Sequence, residues 1–308
     1  CSNLSGNLRN KMTSKCLFFC ALLTVSATVC DAQSRKLPDK FEQWLESPGM
    51  RHASVALEMV DLTTGESCYA IDVQRAMQPA SLLKLVTTAT ALRMLGGDYL
   101  LPDTICPTDT TKSPLPELIG YNPDWMIEDV ASSYAEALEE IPDAGIELRE
   151  YVKRTNEKSL NIHAEALVYL LSPERTLAAG LDTIRHYLDS CGIETEALVM
   201  YDGCGLAPAD RITAHLMTQL LAEMQHDEDF CNSLAVAGVS GTVNYFLKAS
   251  RLCGKARLKT GTTKSVVAYA GYVDGSDGHT YSIVLIVNSA TAPLTDMRRN
   301  IEKMFKDY

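Results

Sequence analysis

The sequence predicts an α/β fold of the α+β kind: an antiparallel sheet flanked by helices, with a helical lobe inserted into it. Three observations predict it. Two β-rich runs joined by a tight turn come first, over 53–71. Segments with helical periodicity then fill 79–95 and most of 124–225. Three further β-rich runs and a closing amphipathic segment follow residue 256. Strands, then helices, then strands again put the two parts of one sheet on either side of an insertion.

Residues 53–60 (ASVALEMV) read as a strand, 61–65 as a turn ending in Gly65, and 67–71 as the return strand of a hairpin. Pro79 suits the first turn of a helix. Leu82, Leu85, Val86, Ala89 and Leu92 recur at helical spacing up to Leu95, where Gly96 and Gly97 stop it. Residues 101–124 are rich in Pro, Thr and Asp and read as a loop. Helices are predicted over 124–140 and 147–171, interrupted by Pro142-Asp143-Ala144-Gly145, and over 173–190, stopped by Gly192. A strand is predicted over 197–201, ending in Asp202-Gly203, then a helix over 212–225. Strands over 256–259, 268–273 and 281–287 and a helix over 294–307 close the chain. The domain organisation expected is a leader over 1–32, a sheet-containing domain from 33–100 plus 195–308, and a helical lobe over 101–194.

Composition narrows the function classes. With 308 residues, 46% of them apolar and 22% charged, the chain is long enough for one or two domains with a real core. A net charge of -11 with no basic run excludes a nucleic-acid partner. Residues 11–32 read as an export signal: Lys11 and Lys15 flank Met12, an apolar run covers 17–29, and small residues precede a cleavage point after Ala32. The run is too short to span a membrane. An exported, periplasmic protein starting at Gln33 is expected; Val29 disfavours lipidation at Cys30, and residues 1–11 read as upstream read-through. Cys68, Cys106, Cys191, Cys204, Cys231 and Cys253 lie beyond the leader, with no C-x-x-C, and the histidines form no H-E-x-x-H. No metal and no other cofactor is expected, and free buried thiols are the ordinary reading.

The chemistry lies in two short motifs. Ser81 and Lys84 form S-x-x-K, and Lys259-Thr260-Gly261-Thr262 follows near the C-terminus. A serine hydroxyl needs a base before it attacks, and positions i and i+3 share a helix face, so Lys84 can reach Ser81. Alone, S-x-x-K arises about once by chance in a chain of this size, and Ser81 would then be a helix cap. The order S-x-x-K before K-T-G is that of the penicilloyl-serine enzymes.

The chain resembles the serine-type D-alanyl-D-alanine carboxypeptidases, the low-molecular-mass penicillin-binding proteins that also act as endopeptidases. Four blocks carry the resemblance: 79–85 with Thr87-Thr88; 156–161 running into 164–167; 202–206 with 236–242; and 259–262 with 270–273. The second supplies S-x-N as Ser159-Leu160-Asn161. The resemblance implies a β-lactamase/transpeptidase-like fold, peptidoglycan stem peptides as substrate and β-lactams as covalent inhibitors. It implies Ser81 as nucleophile, Lys84 as base, Ser159 as proton relay and Asn161 as a hold on Lys84 and the substrate amide. Lys259, Thr260 and Thr262 would bind the terminal carboxylate, and Gly261 would leave room for the acyl chain. The backbone N–H groups of Ser81 and Thr262 would form the oxyanion hole.

There are departures. The large insertion usual between the first two motifs is mostly missing, Cys204 stands where serine is usual, and Ala207 and Asp210 differ from the usual run. A serine β-lactamase, for which Glu165 is the acid beside the second motif, stays open as an alternative, as does a non-catalytic wall-binding or β-lactam-sensing module.

Overall fold

The early hairpin and the late strands join in one six-stranded antiparallel sheet in the computed structural model, which describes residues 36–103 and 143–306. Strand β1 (Ser54–Asp61) pairs with β2 (Ser67–Ile71) on one side and with β6 (Thr280–Asn288) on the other. Beyond β6 come β5 (Val266–Asp274), β4 (Ala256–Thr262) and the two-residue β3 (Ala235–Val236), in the order β2-β1-β6-β5-β4-β3. The leader over 11–32, the helix over 124–140, most of the 101–124 loop and Cys106 lie outside the described residues.

The central strands are buried on both faces, so they read as continuous apolar runs rather than alternating ones. Val266, Ala268, Ala270 and Tyr272 of β5 face one core, and Val267, Tyr269 and Val273 face the other. The second core is closed by α1 (Asp39–Leu45) and α8 (Leu294–Lys306), which present Phe41, Trp44, Ile301 and Phe305. The first is built around α2 (Leu83–Leu95), whose first ten residues are all buried. Around α2 lie α3 (Leu148–Lys158), α4 (Asn161–Leu170), α5 (Leu177–Ser190) and α6 (Ala214–Met224). Short α7 (Glu228–Ser233) leads into β3.

Local chemistry moves several expected boundaries. The helix expected over 147–171 is two helices, because Ser159 turns left-handed (φ 59°, ψ 44°) and Leu160 is extended. The helix expected from 173 starts at Leu177, where the Thr176 side chain accepts from the Ala179 N–H. The late strands run longer at their ends than their apolar cores, because pairing with neighbours extends them. Residues 197–201 form no strand: only Val199 pairs, in an isolated bridge to Arg211, and the Tyr201 N–H goes to the Asp210 carboxyl. Neither α1, α7 nor β3 is long enough to show a period.

Buried polar bonds fix the layers against each other. Asn156 of α3 donates to Thr88 Oγ1 of α2 at 3.1 Å and to Ser233 Oγ of α7 at 2.8 Å. Tyr272 of β5 donates to the Leu221 carbonyl of α6 at 2.7 Å. At the far end of the sheet, Asp61 pairs with His279 at 2.6 Å. Burial raises the Asp61 carboxyl, but hydrogen bonds from His279 and from the Thr63 and Thr64 N–H groups outweigh it and hold it at about 2. The same bond raises His279 above 6.5. A depressed carboxyl stabilises above its unfolded value of 3.8 and loses that contribution as pH falls through about 2. A raised imidazole stabilises fully below 6.5 and loses it as pH rises through the folded value. His279→Gln is therefore expected to lower the melting temperature near about pH 5, with the deficit fading as pH rises past the His279 titration, as read by circular dichroism melts.

Candidate active site

The backbone approaching Ser81 is clamped before the helix begins. Asn288, the last residue of β6, accepts from the Gln78 N–H at 2.8 Å and donates to the Gln78 carbonyl at 3.1 Å. Pro79 then leads into a single 3-10 turn, Ala80–Leu82, and α2 starts at Leu83. Ser81 thus lies in that tight turn rather than in the first turn of α2, with Ala80 before it at φ 47°. Two glycines make room for the turn. A Cβ on Gly205 (φ 83°) would collide with the Ala80 carbonyl, and one on Gly261 would come within 2.7 Å of the Pro79 oxygen. The space beside Gly261 is filled by the chain's own backbone.

Lys84 is fully buried, and three partners surround its amine. Nζ lies 2.9 Å from Ser81 Oγ, 2.6 Å from Asn161 Oδ1 and 2.7 Å from the Cys204 carbonyl. Lys259, from β4, is equally buried; its amine donates to Ser159 Oγ and to the Thr260 carbonyl, both at 2.8 Å. Thr260 Oγ1 donates to Thr242 Oγ1 at 2.9 Å, and Arg298 of α8 reaches Thr262 Oγ1 at 3.4 Å. Ser159 arrives here because of the left-handed break after α3, and Asn161 because α4 begins two residues on.

Burial sets the electrostatics. It lowers Lys84, while Cys204, Asp202 and Glu165 pull it partly back. It drives Lys259 well below the ordinary lysine value, and the charge of Lys84 adds to that. Glu165, wholly buried on α4, is raised to about 8 by burial and by Asp202. Its carboxyl accepts the Gly203 N–H at 3.0 Å and is hydrogen-bonded with the Cys204 side chain.

The Cys204 carbonyl is presented by an acid-bound turn. Asp202 Oδ1 accepts the Cys204 and Gly205 N–H groups at 2.9 and 2.5 Å, and Oδ2 accepts the Ala207 N–H at 2.7 Å. Thr87 of α2 donates to the Gly203 carbonyl at 2.7 Å. Ligand atoms of Glu165, Asp202 and Cys204 lie within 4.8 Å of one another, and the two carboxyls accept backbone N–H groups of the turn. The structure therefore brings Ser81, Lys84 and Asn161 together, and Ser159, Lys259 and Thr260 beside them, with Gly261 packed under Ser81. Thr262 lies at the exposed end of β4. Sequence reasoning missed Asn288 and Arg298, and gave no role to Asp202 and Thr242, which lie in the third block of the resemblance. Asp202-Gly203 is a turn signal, but nothing local says that the turn faces Lys84.

This fold and this pair of serine–lysine contacts define a penicillin-binding or β-lactamase-like protein. The chain belongs to the D-Ala-D-Ala carboxypeptidase 3 (S13) family, whose profile it matches over residues 37–108 and 141–307. It is 32% identical over 188 residues to a D-alanyl-D-alanine carboxypeptidase of an Actinomadura species; the match takes in 57% of this chain and spans about a third (33%) of that relative's length. The fold is similar to penicillin binding protein 4 from Haemophilus influenzae, at TM-score 0.65 and 14% identity over 87% of this chain and 98% of that one. It is also similar to a class A β-lactamase from Bacteroides cellulosilyticus, at TM-score 0.57 and 21% identity over 87% of this chain and 96% of that one. These likenesses establish the transpeptidase/β-lactamase-like fold.

Gly261→Ala is expected to lower unfolding stability by about 2–4 kcal/mol, because the added methyl meets the Pro79 carbonyl oxygen at 2.7 Å and the Ser81 backbone behind it. Urea unfolding of the parent and the variant checks it.

Proposed function

We propose that this protein is a serine-type D-Ala-D-Ala carboxypeptidase that acts on peptidoglycan stem peptides through an acyl-enzyme and is inhibited by β-lactams. The observation that carries the reading is the coordination of the Lys84 amine. A neutral amine has two N–H donors and one lone pair. Two carbonyl acceptors, Asn161 Oδ1 and the Cys204 oxygen, match the donors, and Ser81 Oγ faces the remaining position at 2.9 Å. Burial lowers the proton affinity of Lys84, so the lone pair is available to take the Ser81 proton.

In this reading Ser81 Oγ bonds to the carbonyl carbon of the penultimate D-Ala as Lys84 takes its proton. The C–N bond breaks, and the terminal D-Ala leaves with a proton passed on through Ser159. Water then attacks the ester: its oxygen bonds to the acyl carbon, the bond from that carbon to Ser81 Oγ breaks, the freed acid leaves, and the proton lost by the water returns to Ser81 Oγ. The backbone N–H groups of Ser81 and Thr262 receive the oxyanion. Lys259, Thr260 and Thr262 take the substrate carboxylate, and Asn161 holds the substrate amide. The same acyl transfer would open a stem cross-link. An exported, periplasmic enzyme fits this substrate; none of the described helices is long and apolar enough to cross a membrane.

The environment of Glu165 favours this reading over a β-lactamase. Fast ester hydrolysis in one β-lactamase class uses a glutamate as base. Glu165 is buried and bonded to the 202–207 turn, and burial raises its carboxyl to about 8, which makes it a poor base for that step. A non-catalytic module would have no need of a lysine held in this way.

Intact mass after exposure to a penicillin is expected to show one penicilloyl adduct on the parent and none on Ser81→Ala, and only the parent should release D-Ala from a D-Ala-D-Ala peptide. A parent that consumes penicillin with no lasting adduct would instead mark a β-lactamase. Lys84→Arg is expected to acylate about 1,000-fold more slowly, since a guanidinium keeps its proton. In the parent, the acylation rate should rise with pH as Lys84 deprotonates, at a pH below the 10.5 of an ordinary lysine.

A further inference from the structure

The turn that presents the Cys204 carbonyl to Lys84 contains a second buried acid that the mechanism does not use. Asp210 is fully buried. Its Oδ1 accepts the Tyr201 N–H at 2.8 Å, while its Oδ2 meets no donor among the described residues. Its carboxyl faces that of Asp202, which already accepts three backbone N–H groups. Two ionised carboxylates have no hydrogen to share and repel each other. A carboxylic O–H at Asp210 Oδ2 removes both faults at once, since it supplies the missing hydrogen and cancels one charge.

We propose that Asp202 and Asp210 share one proton as an acid–carboxylate pair, and that this pair is a positioning element: it fixes the 202–207 turn so that the Cys204 carbonyl holds the Lys84 amine against Ser81. The proton resides on Asp210. Both Asp202 oxygens already accept backbone N–H groups, whereas Asp210 Oδ2 meets no donor, so the hydrogen is placed there. Burial and the Asp202 charge both push Asp210 far above the ordinary carboxylate range, and Glu165 adds to this.

The groups facing the pair are few. Glu165 comes from α4, Lys84 from α2 and the Cys204 thiol from the turn itself. The Arg211 guanidinium is spent on the Pro208 and Asp210 carbonyls at 2.7 Å. None of these offers a donor to Asp210 Oδ2. When the shared proton is lost at alkaline pH, two charges stand in contact without solvent. The turn then loosens, and Lys84 loses one of its two carbonyl acceptors. Acylation therefore falls as Asp210 loses its proton at alkaline pH.

The activity arm of the test rests on the reading of Ser81 and Lys84 as the acylating pair. Acylation by a fluorescent penicillin is followed between about pH 6 and 11 in the parent, Asp210→Ala, Asp210→Asn and Asp202→Asn. Asp210→Ala is expected to acylate about 100-fold more slowly at neutral pH through misplacement of Lys84. Asp210→Asn is expected to recover that loss and to lack the alkaline fall, because its amide N–H replaces the acid O–H. Asp202→Asn is expected to be slow at every pH, since its amide must face an N–H donor. Infrared difference spectra should show a protonated carboxyl band in the parent that Asp210→Asn lacks.

Two results would overturn the proposal: an alkaline fall that persists in Asp210→Asn, or a protonated-carboxyl spectrum unchanged by that substitution. If Asp210→Ala fails to fold, the isosteric Asp210→Asn decides by its profile and its spectrum. If the parent is not acylated at all, the functional reading fails, and the infrared band still decides whether the proton is shared.

Discussion

The Lys84 amine is the constraint on which the rest of the site depends. An amine withdrawn from water must have its N–H groups accepted, or the burial costs several kcal/mol. Lys84 satisfies this through partners from three separate parts of the chain: Ser81 three residues before it, Asn161 at the start of α4, and the carbonyl of Cys204. Each can reach Nζ only if α2 is packed from every side, which is why all ten residues from Leu83 to Leu92 are buried. The wrapping helices thus enclose the Lys84 amine as well as forming the core.

The same economy holds at Ser159. One left-handed residue separates α3 from α4 and turns a hydroxyl toward β4, where Lys259 donates to it. Holding a non-glycine residue in that conformation costs about 1 kcal/mol or more and needs support from its surroundings. Asn156, one turn earlier on α3, supplies part of it through buried bonds to Thr88 and Ser233. A polar network deep in the core therefore governs a hydroxyl at the surface of the cleft.

The departures from the usual family pattern become intelligible in this geometry. Cys204 meets Lys84 through its carbonyl, which every residue type supplies, while its thiol is turned to Glu165. The side chain at that position is accordingly free to differ. The second motif keeps its place despite the short segment before it, because α3 is anchored to α2 and α7 through residues on either side of that segment. The described residues hold the Ser81–Lys84 and Ser159–Lys259 contacts; the part of the chain between 104 and 142 lies outside them.

The sequence by itself determined the class of fold and singled out the candidate site residues. Periodicity located the hairpin, α2, α6 and the late strands, because burial on a regular backbone writes a repeating pattern. Ser81 and Lys84 were legible because i and i+3 meet on any helical turn, and Ser159, Asn161 and 259–262 because the order of short motifs is itself a signal. Only the tertiary structure decided that Ser159 breaks a helix, that 197–201 is not a strand, that Gly261 makes room for the Ser81 backbone, and that Asp202, Asn288 and Thr242 belong to the site. Those facts rest on contacts between residues tens to hundreds of positions apart, such as Gln78 with Asn288 or Lys84 with the Cys204 carbonyl. A backbone carbonyl or a left-handed dihedral leaves no mark in composition or spacing, and its role exists only once the distant partner has been folded against it.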